Sequence, residues 1–279
     1  KRVVVAGSGP LLLAVADTVR RSGGEVVAIA EQRDSAQLAR FGARLALRHQ
    51  AKFMQAVHLM AALRSVSYLR GALVTAAHGE GHLTSVTLEQ GGSTRTIACD
   101  FLACGFGLVP SLELGALFDC AVEGGCIRVD AQQRTSMEGV WAAGESTGIG
   151  GLDKALAEGR IAGLATIGKA VSSTERHALA RAKAFAQLLD ERFAPAPALR
   201  TLCTPSTIVC RCEDVRASEL APHAGWRAAK LQTRAGMGPC QGRVCGAACE
   251  FLYGWDAPGP RPPVFPASVA TLAAVQDPP

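Results

Sequence analysis

Four cysteines constrain this chain more than any other feature: Cys210 and Cys212 are followed, after 27 residues, by Cys240 and Cys245. Four soft thiolate ligands in so short a stretch require a fold that brings them together, because four cysteines close one tetrahedral or one bimetallic shell. One residue separates the first pair and four separate the second. Both spacings depart from the two-residue spacing usual in zinc knuckles and ribbons, which favours an iron-sulfur centre and leaves zinc open as the weaker reading. The chain has 10 cysteines, and five of them crowd between Cys210 and Cys249. Metal ligation explains that distribution better than disulfides do.

The turn Gly236-Met237-Gly238-Pro239 precedes the second pair, where backbone N–H groups can approach cluster sulfurs and stabilise their negative charge. Arg211, Arg234 and Arg243 either add positive charge there or are simply solvated. Cys249 falls four residues beyond Cys245, on the same face of a helix, and reads as a packing thiol rather than a fifth ligand.

The N-terminal part carries a different signal. The apolar run Arg2 to Ala6 breaks at Gly7-Ser8-Gly9-Pro10, and a helical pattern starts at Leu11. A second apolar run, Val26 to Ala30, ends in Glu31, as a βαβ nucleotide unit requires. Gly7, Ser8, Gly9, Pro10 and Leu11 are therefore expected at a pyrophosphate, and Glu31 at an adenosine ribose. Arg33 leaves a 2′-phosphate open, so NAD(P) and other adenine nucleotides all remain. Leu12 replaces the third glycine of the usual fingerprint, which keeps a purely structural remnant in play.

Further along, residues 35–70 read as helices and 71–98 as short strands turning at Gly79-Glu80-Gly81 and Gly91-Gly92. A strand at Phe101 to Cys104 runs into Gly105-Phe106-Gly107, and another at Gly139 to Ala143 stops at Gly144-Glu145. Residues 152–170 and 174–192 read as helices, and Ala194-Pro195-Ala196-Pro197 as a stiff linker. A small domain is expected from about residue 200 to Trp255, followed by a proline-rich tail, Pro258 to Pro266, lying over the surface.

Composition limits the partners. With 48% hydrophobic and 19% charged residues, the 279-residue chain has material for two to three domains. The net charge of +5 comes without a basic stripe, which argues against nucleic acid. No apolar run reaches the roughly 18–20 residues that cross a bilayer, and the first residues are expected to run directly into a strand rather than to form a cleavable leader. The expected location is cytoplasmic, with at most peripheral contact with the inner face of a membrane. The histidines, His49, His58, His78, His82, His177 and His223, stand in no acid-base motif. Cys99, Cys104, Cys120 and Cys126 fall at or near strands and read as core thiols.

The segments Cys210-Arg211-Cys212-Glu213-Asp214-Val215 and Thr233 to Cys245 resemble the cluster-binding domain related to bacterioferritin-associated ferredoxin (BFD-like). More narrowly, they resemble that domain as fused to flavoproteins: the A-type subunits of opine oxidases, the flavin subunit of hydrogen cyanide synthase, and the alpha subunits of multimeric proline and sarcosine dehydrogenases. The Gly7 turn, the Cys104 to Pro110 segment and Gly144-Glu145 occur in matching order, so the likeness covers nearly the whole chain.

That resemblance implies an α/β, Rossmann-like two-dinucleotide-binding flavoprotein fold lacking its first FAD half, plus a small, mainly helical BFD-like [2Fe-2S] domain. Its divisions are a nucleotide domain at 1–98, the second FAD half at 99–172, a helix and linker at 173–199, the cluster domain at 200–256 and a tail at 257–279. It implies that Cys210, Cys212, Cys240 and Cys245 hold the cluster. It also implies that Gly144 and Glu145 meet the flavin ribityl chain, and that Gly150, Gly151 and Leu152 open a helix whose positive end faces the flavin. The chain starts at Lys1 in what looks like the inserted nucleotide domain, so about a hundred further N-terminal residues are expected, and FAD binding would need them.

The expected function is a flavin and [2Fe-2S] electron-transfer subunit of a heteromeric amino-acid or opine-type dehydrogenase or oxidase. A second flavoprotein subunit would oxidise the substrate, and the electron acceptor is unspecified. A self-contained NAD(P)H-dependent FAD and [2Fe-2S] reductase is one alternative. A non-enzymatic iron-sulfur docking or sensing module is another.

Overall fold

The computed structural model describes residues 1–256, 259–260 and 263–274; parts of the expected proline-rich tail (257, 258, 261, 262 and 275–279) lie outside the described residues. The chain divides into two compact units, residues 1–108 with 180–196, and residues 109–179 with 197–279.

The first unit begins with β1 (Arg2–Gly7), α1 (Leu11–Arg21) and β2 (Glu25–Glu31). It continues through α2 (Ser35–Arg48), α3 (Gln50–Ala62) and β3 (Ser67–Arg70). Then come β4 (Ala72–His78), β5 (Ser85–Gln90), β6 (Ser93–Ala98) and β7 (Phe101–Gly105). The parallel sheet has the order β3-β2-β1-β7, and β4-β5-β6 form a separate antiparallel sheet.

A parallel strand covered on both faces reads as a continuous apolar run, and the Val3 to Ala6 stretch of β1 is buried throughout. Val3 and Val5 point into a cluster with Leu12, Leu13 and Ala16 of α1. Val4 and Ala6 face the other way, toward Val86 and Leu88 of β5. In-register pairing aligns Gly7 with Glu31 on one side and with Gly105 on the other. The three glycine or acidic strand ends therefore share one edge.

Two local expectations are corrected. Residues 67–70, expected as helix, form β3, because Leu63 caps α3 and Tyr68 and Leu69 then pair with Ile29 and Ala30 of β2. The expected strand at 139–143 is reduced to a single antiparallel bridge between Arg134 and Trp141, since a 3-10 turn follows at once at Gly144–Thr147.

α2 starts where the sequence allows it to: the Asp34 carboxylate accepts from the Gln37 N–H at 2.7 Å, and the Gln37 side chain accepts in return from the Asp34 N–H. Phe41 and Leu45 of α2 pack on Leu188 and Phe193, from the last turns of α6 (Ser173–Phe193). The Phe41 and Phe193 rings meet edge to face with centroids 4.8 Å apart.

The second unit opens with α4 (Glu113–Leu117) and the small hairpin β8 (Val122–Glu123) and β9 (Cys126–Ile127). After the 3-10 turn comes α5 (Leu152–Thr166) and the start of α6. The later segment has a second 3-10 turn (Pro197–Leu202), the hairpin β10 (Ile208–Cys210) with β11 (Val215–Arg216), and α7 (Ala217–Leu220). α8 (Trp226–Thr233), α9 (Cys245–Tyr253) and the exposed α10 (Val269–Ala273) complete it. Val209, Val215, Leu220, Trp226 and Ala229 form a small core around Cys210, Cys245 and Cys249.

Candidate functional site

Cys210 ends β10 and Cys245 begins α9, so the hairpin and the helix start deliver two thiols into the same core, where each is 1% exposed. Cys212 is exposed and Cys240 half-buried, which puts this second pair toward solvent. Cys245 has the Cys210 thiol as a neighbour, and Cys240 has that of Cys212. Cys240 also acts electrostatically on Cys245. Among the described residues no three His, Cys, Asp or Glu side chains converge as ligands of a single metal ion.

The turn before α9 makes this arrangement. Gln241 and Gly242 both adopt positive φ, 52° and 83°. That conformation turns the N–H groups of Val244, Gly242 and Arg243 onto the Cys240 sulfur. Burial pushes the Cys240 thiol up, but the three amides and the Cys212 thiol outweigh it, and the net shift is downward. At Cys245 the shift is upward: burial first, then the neighbouring Cys210, pushes it up to about 12. Cys249, one turn farther along α9, is fully buried and is pushed up to about 11, chiefly by burial.

Two of the three arginines near the motif are paired. Arg234 meets Glu213 at 2.9 Å and Arg243 meets Glu113 at 2.7 Å, while Arg211 is exposed. Arg243 also donates to the Cys240 carbonyl at 3.2 Å.

A second polar centre surrounds the Gly144–Thr147 turn. The Glu145 carboxylate accepts from the Gly151 N–H at 2.9 Å and more loosely from that of Gly150, so it sits at the N-terminal end of α5, just ahead of Leu152. Inside the turn lies an ion pair that the sequence did not single out: Lys154 to Glu158, 2.9 Å, with side chains 5% and 0% exposed. Lys154 also donates to the Gly144 carbonyl and the Thr147 hydroxyl, both at 2.9 Å, and Glu158 accepts from the Gly144 N–H. The i,i+4 spacing was the available signal, but on a helix it reads first as a solvated pair.

At the sheet edge of the first unit, Gly7 and Gly9 adopt positive φ, and a Cβ at Gly7 would collide with the Gly105 carbonyl. The turn feeds α1 as a nucleotide-binding unit requires. Glu31, expected at an adenosine ribose, is placed within the turn. It is fully buried, and its carboxylate accepts from the Gly9 N–H at 2.7 Å and the Arg33 N–H at 2.9 Å. Burial raises its pKa, and the Arg33 and Gly9 amides oppose that shift without cancelling it. Glu31 thus braces the turn from within. In the order β3-β2-β1-β7 the crevice outside Gly7 lies at the strand-order switch point. There the chain's own residues Phe193 to Ala196 contact Ser8, Gly9, Gln32 and Arg33.

The pyridine nucleotide-disulphide oxidoreductase family matches residues 1–162. The A component of opine oxidase from Agrobacterium tumefaciens is 29% identical over 276 residues, covering 88% of this chain and 53% of that protein. The HcnB component of hydrogen cyanide synthase from Pseudomonas aeruginosa is 30% identical over 278 residues, covering 88% and 60%. The chain thus spans between half and two thirds of the length of these curated relatives. Among solved structures, L-proline dehydrogenase from P. horikoshii shares the fold with a TM-score of 0.59 at 16% identity, over 98% of this chain and 50% of that one. No helix among the described residues is long and apolar enough to cross a membrane.

Proposed function

The chain belongs to the pyridine nucleotide-disulphide oxidoreductase family, and from that premise we propose that it is a flavin and [2Fe-2S] electron-transfer subunit of a heteromeric amino-acid or opine-type dehydrogenase or oxidase. The observation that carries this reading is the pairwise arrangement of the four thiols, Cys210 with Cys245 and Cys212 with Cys240. Two pairs of thiolates are the donor set of a two-iron centre. The amides of Gly242, Arg243 and Val244 fit it as well, since they stabilise negative charge on the Cys240 sulfur. A [2Fe-2S] cluster, when bound, accepts and passes on one electron at a time.

The residues around it supply holding, insulation and an exit. Cys210 and Cys245 would anchor the cluster to the small core, where Trp226, Leu220 and Val215 exclude water. Cys212 and Cys240 would hold its outer edge at the surface, so that an electron reaches an acceptor without crossing the core.

For the flavin, the part of residues 99–172 that follows β7, which itself belongs to the sheet of the first unit, is read as the second half of an FAD-binding domain. Gly144, Glu145, Gly150, Gly151 and Leu152 form the polar turn and helix start that would face it. The residues present fit that role through the helix end, where amides of Gly150 and Gly151 already bind one carboxylate. The names of the curated relatives, components of an opine oxidase and of hydrogen cyanide synthase, support a division of labour in which a partner flavoprotein oxidises the carbon substrate.

The self-contained NAD(P)H-dependent reductase is the second reading, favoured by the Gly7 to Gly9 turn at the start of α1. The two are separated by anaerobic addition of NADH to the protein carrying its flavin and cluster, alone and with its co-purifying partner and an amino-acid or opine substrate. The electron-transfer reading predicts that the substrate, through the partner, reduces flavin and cluster while NADH leaves both oxidised. Rapid bleaching of the flavin by NADH alone would replace it with the second reading.

A further inference from the structure

We infer that the segment Phe193 to Ala196 is an intramolecular strap that occupies the dinucleotide crevice of the first unit, so that strap and nucleotide exclude one another. In a dinucleotide-binding sheet the pyrophosphate lies on the glycine turn after the first strand, against the N-terminus of the first helix. The adenosine ribose lies beside the end of the second strand. Here each of those places is taken by the chain itself.

The Ser8 hydroxyl donates to the Phe193 carbonyl at 3.0 Å, and the Phe193 ring lies 3.2 Å from where a Cβ on Gly9 would stand. The open face that glycine provides for a phosphate is filled by an aromatic side chain. Just past the end of β2, the Gln32 side chain donates to the Ala194 carbonyl at 3.1 Å and accepts from the Ala196 N–H at 3.2 Å. The Arg33 guanidinium donates to the same Ala194 carbonyl. On the far side of the switch point, Pro195 approaches Gly107. The strap therefore spans the crevice from β2 to β7, its carbonyls engaging donors that ribose and phosphate oxygens would otherwise use.

The strap is anchored as well as placed. Phe193 is held edge to face by Phe41, and Pro195 and Pro197 limit the conformations the segment gains when it leaves. Glu31, the residue a ribose would need, is turned inward onto Gly9 and Arg33. When only the strap-free fraction is competent to bind, the apparent dissociation constant rises in inverse proportion to that fraction. The inference rests on the geometry of the first unit and stands whichever centre the cysteines hold.

The test is calorimetric titration of the full chain with ADP and with NADH, together with hydrogen exchange at the Ala194 and Ala196 amides. Phe193→Ala removes the ring from the turn. Because it also loosens α2, the Pro195→Gly/Pro197→Gly double variant serves as the second arm: it loosens Ala194 to Ala196 where they cover Gln32 and Arg33, while the Phe193 ring stays on Phe41. Phe193→Ala is expected to bind ADP at least about tenfold more tightly than the native chain, and the double variant more tightly by a smaller factor because only the ribose side is cleared, as removal of a competing closed state requires. Saturating ADP is expected to accelerate exchange at Ala196 in the native chain. Equal affinities in the native chain and both variants, unchanged exchange at saturation, or no binding by any of the three at millimolar nucleotide would each overturn the inference.

Discussion

Gly238 lies directly against Cys212: a methyl group added at Gly238 would collide with the Cys212 Cβ and stand 3.3 Å from its sulfur. The glycine two residues before Cys240 is thus what lets the two outer thiols approach. Backbone cannot yield as a flexible side chain can, so Gly238→Ala must push Cys212 or the Cys240 turn outward. The variant is expected to fold with native circular dichroism but to retain less than half of the native metal content after anaerobic purification. Full metal occupancy would show that Cys212 does not need this approach.

The buried Lys154 and Glu158 pair predicts an asymmetry between single and double substitution. Lys154→Met removes the Lys154 ammonium from the buried Glu158 carboxylate, and breaking a buried pair from one side costs roughly 3–5 kcal/mol. Lys154→Met/Glu158→Leu removes both charges and is expected to recover most of that loss, because apolar replacement of a buried pair is often nearly neutral. Denaturant unfolding of the three proteins measures both values. A double variant no more stable than the single one would mean that the hydrogen bonds to Gly144 and Thr147, rather than the charge balance, hold the turn.

Thiol chemistry in the metal-free chain should follow the surroundings of each sulfur. Cys240, lowered by its three amides, is expected to react with iodoacetamide at neutral pH before Cys245 and Cys249 do. Peptide mass spectrometry over a pH series reads the order directly. The same shifts set a stability window. Cys249 titrates near its ordinary value of 9.0 in the unfolded chain but at about 11 when folded. Between those values the folded state holds a proton that the unfolded state has lost, so the metal-free chain loses stability as pH rises from 9.0 to about 11. A Cys249→Ala variant should show a shallower decline.

Much of this was written into local sequence pattern. β1, the glycine turn and α1 follow from an apolar run broken at Gly7 and resumed at helical spacing from Leu11. Cys210, Cys212, Cys240 and Cys245 stand out by spacing alone, because four soft ligands so close in sequence have few other uses. What escaped depended on long-range pairing. β3 was hidden because Ser67 to Arg70 becomes a strand only against β2, a choice made by tertiary register rather than propensity. The Gly139 to Ala143 stretch looks like a strand but finds no more than the single Arg134 to Trp141 bridge. The strap was invisible for the same reason: Ala194 to Pro197 has the composition of a linker, and only the fold shows Gln32 and Arg33 reaching across more than 160 residues to bind it.

The central claim is that the four cysteines hold a two-iron electron carrier, and its most direct test is anaerobic purification with iron, acid-labile sulfide and zinc quantified. Low-temperature electron paramagnetic resonance before and after dithionite completes the measurement. The account predicts about two irons and two sulfides per chain and a signal that appears on reduction, all lost in Cys210→Ser and retained in Cys249→Ala. Stoichiometric zinc with a silent spectrum would contradict it.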